Sequence, residues 1–193
     1  MEAVTRETKV QTGQHANQDD HSEPSARNLS LDERIAATSS TIETHSLVAL
    51  TVGLIPVPGV DVLALSGVQL NLLRKLGNFY GLSLTDQLGK KLIGAVLGAY
   101  APVAIAAPVA SVLKIVPFVG QLAGAAAVSI TAGAATYALG KVFVQHFESG
   151  GTFLDFDPRS VSSHFSKAFA EGKQFVREAK EAGKDVVENV KKS

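Results

Sequence analysis

Cysteine is absent from the 193-residue sequence, so disulfides, thiolate catalysis and zinc sites built on cysteine are excluded. Net charge is also absent, because 18 basic residues balance 18 acidic ones, which argues against nucleic acid as the main ligand. The first thirty residues lack the apolar segment of a secretory signal. We therefore expect synthesis in the cytosol, with both termini on the cytoplasmic side.

Signatures of enzyme chemistry are absent as well. Gly140 and Lys141 lack the earlier glycine and the following hydroxyl residue of a phosphate-binding loop. Ser111 and Lys114 have the spacing of a serine–lysine pair but no companion motif. The five histidines show no metal-ligand spacing. We predict that the protein is not an enzyme and has no catalytic, cofactor or metal site.

Helix signals cover most of the chain after a polar segment, 1–29, that is predicted to be a disordered tail. Ser30 and Glu33 have the spacing of a capping box, which starts a first helix near Leu31. Further helix signals follow at 58–80, at a second capping box formed by Ser83 and Asp86, from Pro117 to about Phe147, and at 158–191.

The helix signals predict an all-α fold, a helical bundle with a Gly/Ala-rich helical hairpin and a long C-terminal amphipathic helix. We divide the chain into the tail 1–29, a helical domain 30–152 that contains the hydrophobic hairpin 92–140, and the C-terminal helix within 153–193.

The hairpin is predicted from two uncharged runs, Leu92–Leu113 and Ile115–Gly140, that are separated only by Lys114. Each run is long enough to cross a bilayer core of about 30 Å. Glycines spaced four residues apart would let the two helices approach closely, as they do in membranes. The candidate packing positions are Gly94, Gly98, Gly120, Gly124 and Gly133.

Two interpretations of this hairpin stay open. In a membrane, Arg74, Lys75, Lys90 and Lys91 before it and Lys141 after it would keep both ends cytoplasmic, with Lys114 at the outer turn. In a soluble protein, the same residues would form a tightly packed Ala/Gly helix pair inside the core.

The second predicted helix carries four candidate contacts with a partner or with lipid headgroups. Asp61 lies in its first turn, where the helix dipole stabilises a carboxylate, and Gln69 shares a largely apolar side with it. A polar contact inside the bundle is an alternative role for this pair. Arg74 and Lys75 belong to a narrow polar stripe that either faces water or meets an acidic surface.

The last predicted helix has an eleven-residue apolar repeat, which keeps one stripe aligned along a nearly straight helix. Most of the apolar area of the stripe comes from Phe165, Phe169, Phe175 and Val176. Beyond Val176 the stripe thins, so we expect the helix to be docked near Phe165–Val176 and free toward its end. The net charge of +3 over 158–193 favours anionic lipid. The alternative is a helix that only packs on its own bundle.

Two stretches resemble a known bacterial family. "GLIPVPGVDVLALSGVQLNLLRKLGNFYG" and "YALGKVFVQHFESGGT" are similar to the opening and closing motifs of the YcjF-like, GTPase-associated domain of unknown function, over about 45–152. The resemblance puts Asp61, Gln69 and Tyr80 at motif positions. It implies a membrane protein that occurs with Era-like GTPase domains, although this sequence contains no such domain.

Our leading hypothesis is a non-enzymatic membrane-associated module that anchors or contacts another protein, with a GTPase as the partner that the resemblance implies. The expected location is the bacterial inner membrane, with the cytoplasm as the alternative. Membrane lipid is an expected partner, a homo-oligomer is a further candidate, and nucleic acid is not expected. The rival hypotheses are a soluble helical interaction domain and a pore-forming or membrane-remodelling protein.

Overall fold

The computed structural model describes residues 29–53, 60–105 and 119–192, and this part of the chain is all α-helix and connecting loops, which confirms the predicted fold class. Its helices are α1 (Leu31–Val52), α2 (Val60–Phe79), α3 (Asp86–Ile105), α4 (Val119–Glu148) and α5 (Ser162–Lys192). Residues 1–28, 54–59 and 106–118 lie outside the described residues, and with them most of the predicted tail, the predicted helix break after Gly53 and the predicted outer turn at Lys114.

The helix starts show which capping predictions hold. The Ser30 hydroxyl accepts the Glu33 backbone N–H, and the Glu33 carboxylate accepts the Ser30 backbone N–H, so the first capping box is confirmed. The second is wrong. Thr85 caps α3 instead, because its hydroxyl accepts the backbone N–H of Leu88 and the helix starts one residue after it.

The C-terminal helix starts later than predicted. Asp157 does act as a cap, but its carboxylate accepts the N–H of Arg159 and its carbonyl accepts that of Ser160. These bonds form a separate turn over 157–160, and α5 begins only at Ser162. Proline at 158 therefore sits in a turn before the helix and not in its first turn.

Helix α4 lies at the centre of the bundle and contacts each of the other helices. Helix α1 runs antiparallel to it, because Arg34 meets Glu148 at one end and Gly53 meets Ser129 at the other. Helix α2 runs parallel to α4, because Gln69 meets Thr136 and, further along both helices, Tyr80 meets Glu148. Helix α5 runs antiparallel to α4.

Glycines on α4 and α5 set the distance between these helices. A Cβ placed on Gly133 would lie 2.9 Å from the Ser46 carbonyl oxygen of α1 and 2.9 Å from a Val176 methyl group of α5. Gly140 faces Ile42 in the same way, and Gly172 faces Tyr137 and Ala134. At these positions an added side chain would push the helices apart.

The core is richest in aromatic side chains near the C-terminal end of α4. Phe143 is fully buried and stacks on Phe156, with ring centroids 4.2 Å apart. Phe147 and Phe153 meet edge to face beside it, with centroids 4.9 Å apart. The loop after α4 therefore folds back over the helix, and it supplies two of the four rings.

Candidate functional site

The two stretches that carry the family resemblance meet at one end of the bundle. The Tyr80 hydroxyl, at the end of the first stretch, donates a 2.7 Å hydrogen bond to Glu148 in the second. Arg34 of α1 donates two more to the same carboxylate, from Nε to Oε1 at 3.1 Å and from Nη2 to Oε2 at 3.2 Å. The guanidinium carbon also lies 5.2 Å from the centre of the Tyr80 ring.

The electrostatics of this cluster are those of a closed structural contact. Hydrogen bonds from Arg34, and then from Tyr80, hold the pKa of Glu148 below its ordinary value. The bond to Glu148 raises the pKa of Arg34, and burial is the main cause that raises the pKa of Tyr80. The carboxylate is engaged on both oxygens, so the cluster fixes three helix ends and offers no free nucleophile or base.

The predicted contact residues of α2 fall into different environments. Gln69 is 1% exposed, and its amide donates to the Thr136 hydroxyl at 3.3 Å, so its polar contact lies inside the bundle. Arg74 pairs with Asp86 at the start of α3. Lys75 is exposed on the surface. Asp61 lies in the first turn of α2, and its side chain is outside the described residues.

The predicted packing glycines also separate. Gly133 sits at the close contact with α1 and α5, and not with α3. Gly94 and Gly98 are exposed, and a Cβ on either would have no neighbour within 4 Å among the described residues. They therefore make no close helix contact here. Gly120 and Gly124 lie in α4, at positions whose surroundings are not among the described parts of the structure.

The apolar residues of α5 pack on the bundle. Phe165 and Val176 are buried, and Phe165 stacks on Tyr100 of α3 with ring centroids 4.4 Å apart. Phe169 and Phe175 are half-buried beside them. Residues 181–185 are all exposed, which places this part of the helix clear of the bundle. The described half of the stripe is thus part of the core in this packing.

The opposite end of the bundle carries almost no charge on three of its helices. Asp, Glu, Lys and Arg are absent from 44–53 in α1, from 62–73 in α2 and from 119–140 in α4. The contact of Gly53 with Ser129 and that of Gln69 with Thr136 bring these segments together. We call this region the uncharged end of the bundle.

Large apolar side chains are exposed at this uncharged end. They come from all three helices and are Leu63 (76% exposed), Val128 (56%), Val48 (44%) and Leu47 (36%). Single exposed apolar residues are common on soluble proteins, but here they share one end with segments that lack charge. A surface of this composition is suited to lipid or to an apolar protein partner.

Sequence reasoning missed several of these contacts. The pairing of Arg34 with Glu148 was not predicted, because the residues lie 114 positions apart and only the fold brings them together. His45 is buried, with its ring nitrogens 2.7 Å from the Thr41 carbonyl oxygen and 3.0 Å from Asn71 Oδ1. It therefore links α1 to α2. A polar residue on the inner face of α1 was the available signal.

Metal-binding groups and membrane-spanning helices are the two remaining features of the described residues. No group of three or more His, Asp or Glu side chains there could hold a metal ion. Among these residues, only Ala126–Glu148 is long and apolar enough to cross a membrane, with a mean hydropathy of 1.4. Its most apolar window is 56% buried in the bundle, and core helices of soluble proteins have the same properties.

Comparison with known sequences identifies a family and a relative. The profile of a domain of unknown function, DUF697, matches residues 17–187, which extends beyond the 45–152 of the motif resemblance on both sides. The chain is 31% identical over 151 residues to magnetosome membrane protein 22 of Magnetospirillum gryphiswaldense, with 76% of each chain covered. No solved structure matches the chain.

Proposed function

This chain belongs to the DUF697 family of domains of unknown function. From that premise we propose that it is a non-enzymatic, membrane-associated helical module that anchors or contacts another protein. The observation that carries the proposal is the uncharged end of the bundle, where α1, α2 and α4 together expose large apolar side chains. The relative named as a magnetosome membrane protein supports it.

The two ends of the bundle differ in a way that suits one orientation. Large apolar side chains are exposed at both ends, among them Leu63 and Val128 at the uncharged end and Leu154 at the other, and removing them from water is favourable. Charge is what distinguishes the two ends. The other end carries Arg34 and Glu148, whose burial in lipid would cost several kcal/mol per charge. The uncharged end therefore enters the membrane, while the Arg34–Glu148 end stays in water.

A protein partner is the second part of the proposal, and a GTPase is the partner that the motif resemblance favours. Residues of the motifs also hold the bundle together: Tyr80 of the first motif bonds to Glu148 of the second, and Gln69 of the first bonds to Thr136, which directly precedes the second. They would then build the scaffold, and the partner would bind its outer surface. Cross-linking in intact membranes followed by mass spectrometry tests this part, and the absence of any GTPase among the linked proteins would argue against it.

Carbonate extraction of cell membranes tests the membrane proposal. We expect the full chain to remain with the membranes and the double variant Leu63→Lys/Val128→Lys to be released, because each lysine costs up to about 3 kcal/mol in the bilayer. Both side chains are largely exposed, so lysine fits without disturbing the core. Leu154→Lys is the matched control, since Leu154 is 85% exposed in the loop at the other end.

The outcomes separate the rival functions. Release of the unchanged chain into the soluble fraction would overturn the proposal and favour a soluble helical interaction domain. Retention of the double variant would show that membrane attachment does not use the uncharged end. Leakage of liposomes caused by the purified chain would instead favour a pore-forming or membrane-remodelling protein.

A further inference from the structure

Four cations of α5 form a row on one flank of the helix. Lys173, Arg177, Lys180 and Lys184 are separated by four, three and four residues, the spacing that keeps side chains on one side of a helix. At about 100° per residue, all four fall within a sector of about 60°. We call these four residues the basic row.

The acidic residues of α5 lie mainly elsewhere. Glu171, Glu178 and Asp185 are all exposed and are spaced by seven residues, so they occupy a separate flank centred about 130° from the basic row. Glu181 lies at the boundary between the two flanks, so the positively charged surface ends there. Between residues 171 and 185 the charges are therefore largely sorted by sign around the helix axis, whereas Lys167 lies on the acidic flank and Glu188 lies near the row.

The basic row is available for an external anion. Arg177 and Lys184 are exposed, and Lys173 and Lys180 are half-buried. Lys173 lies over the Phe169 ring, 5.5 Å from its centre. Among the described residues, no ion pair involves any of the four cations. A row of cations without carboxylate partners gains more from an external anion than one that is already neutralised.

The row also lies beside the uncharged end of the bundle. Val176, within the length of the row, contacts Gly133 in the uncharged half of α4, so the row begins beside that half, and its last member, Lys184, lies in the exposed segment 181–185. Cations at the edge of an apolar surface are the arrangement by which peripheral membrane proteins combine apolar burial with attraction to anionic lipid.

We propose that the basic row binds anionic phospholipid headgroups and orients the bundle on the membrane. This inference rests on the proposed membrane association, and it names the lipid class and the residues that select it. The uncharged end of the bundle enters the lipid, and the basic row faces the headgroups. The flank that carries Glu171, Glu178 and Asp185 faces water. Glu181, next to the row, weakens the attraction.

Flotation of the purified full chain with vesicles tests the row. The probes are vesicles of phosphatidylcholine alone and vesicles that also contain phosphatidylglycerol. Each cation near an anionic surface contributes about 1 kcal/mol, which is roughly a fivefold change in binding. Arg177→Glu/Lys184→Glu should therefore lower binding to the anionic vesicles at least about 25-fold. Glu181→Gln should raise it, and added salt should weaken it.

The matched control keeps the same change in net charge outside the row. Arg159→Glu/Lys167→Glu alters two exposed cations, one in the turn before α5 and one on its other flank. It should retain most of the binding to anionic vesicles. Far-ultraviolet circular dichroism of each variant confirms that the helices are intact.

Each result has a distinct meaning. An equal loss of vesicle binding in both double variants would overturn the proposal, because net charge alone would then explain the binding. Unchanged binding of Arg177→Glu/Lys184→Glu would show that the basic row does not bind lipid. Equal binding of all variants to phosphatidylcholine and to anionic vesicles would leave the membrane association standing without the row. Failure of the unchanged chain to bind either vesicle would overturn the proposed membrane association itself.

Discussion

The hydroxyl of Tyr80 donates a 2.7 Å hydrogen bond to the carboxylate of Glu148, which lies 68 residues later in the chain. Arg34 binds the same carboxylate with two N–H groups, so one acidic side chain connects the start of α1, the end of α2 and the end of α4. The ion pair is partly exposed, with side-chain exposures of 26% and 30%. We therefore expect a modest contribution to stability and a larger one to the alignment of the three helix ends.

The first prediction concerns the charge of Glu148. Glu148→Gln should lower the free energy of unfolding by about 1–2 kcal/mol at neutral pH, because it weakens the hydrogen bonds to a charged group. The pKa of Glu148 is lowered in the folded protein, chiefly by Arg34. Its contribution is therefore complete above the ordinary value of 4.5 and is lost as the pH falls through the lower folded value.

Urea unfolding at neutral pH and in acid measures this effect. The difference between the unchanged protein and Glu148→Gln should shrink as the solution becomes acidic. Glu43→Gln, an exposed substitution on α1, is the control and should change little at neutral pH. A difference that stays constant down to strong acid would show that the charge of Glu148 does not stabilise the bundle.

The second prediction concerns the buried pair of Gln69 and Thr136. Thr136→Val leaves the buried amide of Gln69 without its partner and should cost about 1–3 kcal/mol. Replacing both residues, as Gln69→Leu/Thr136→Val, should cost less than the sum of the two single changes, because no polar group is then left unpaired. Denaturant unfolding of the unchanged protein, the two single variants and the double variant gives the coupling free energy between the two residues. Additive costs would mean that the hydrogen bond makes no net contribution to stability.

The third prediction compares two glycines in helix interiors. Gly133→Ala should destabilise the protein by about 1–3 kcal/mol, because the new methyl group would meet the Ser46 carbonyl oxygen and Val176. Gly94→Ala should stabilise it by about 0.5–1 kcal/mol, since that position is open and alanine favours the helix. Thermal unfolding should shift the midpoints of the two variants in opposite directions. Destabilisation by both would place a neighbour against Gly94 that the described residues do not include.

The helices were predictable because they depend on local signals. The capping box of Ser30 and Glu33 acts within four residues, and the eleven-residue repeat of α5 marks the stripe from Phe165 to Val176 that the bundle buries. Thr85 was missed as the cap of α3 because Ser83 offered the same chemistry two residues earlier. The choice between them depends on where the chain turns, which is a tertiary property.

The role of each glycine and of each charged contact was less predictable. Gly94 and Gly133 belong to similar small-residue patterns, but within the part of the chain that the structure describes only Gly133 of the two contacts other helices, since helix neighbours depend on the path of the whole chain. The pairing of Arg34 with Glu148 gave no local signal, because it joins residues more than a hundred positions apart. Local patterns therefore identified the helices and left the contacts between them open.

The last prediction concerns the two halves of α5. Its amides from Ala168 to Val176 should exchange slowly with deuterated water, because the helix there is held by buried side chains. The amides of 181–185 should exchange faster, since these residues are all exposed and a helix without packing partners is marginal in water. Anionic vesicles should slow exchange at 181–185, because headgroups bound to the adjacent basic row would hold this turn in place. Vesicles of phosphatidylcholine alone are the control and should leave these rates nearly unchanged. Equal protection of both halves in the absence of vesicles would show that the distal part is packed on another surface, and it would remove the reason to expect a lipid-dependent change there.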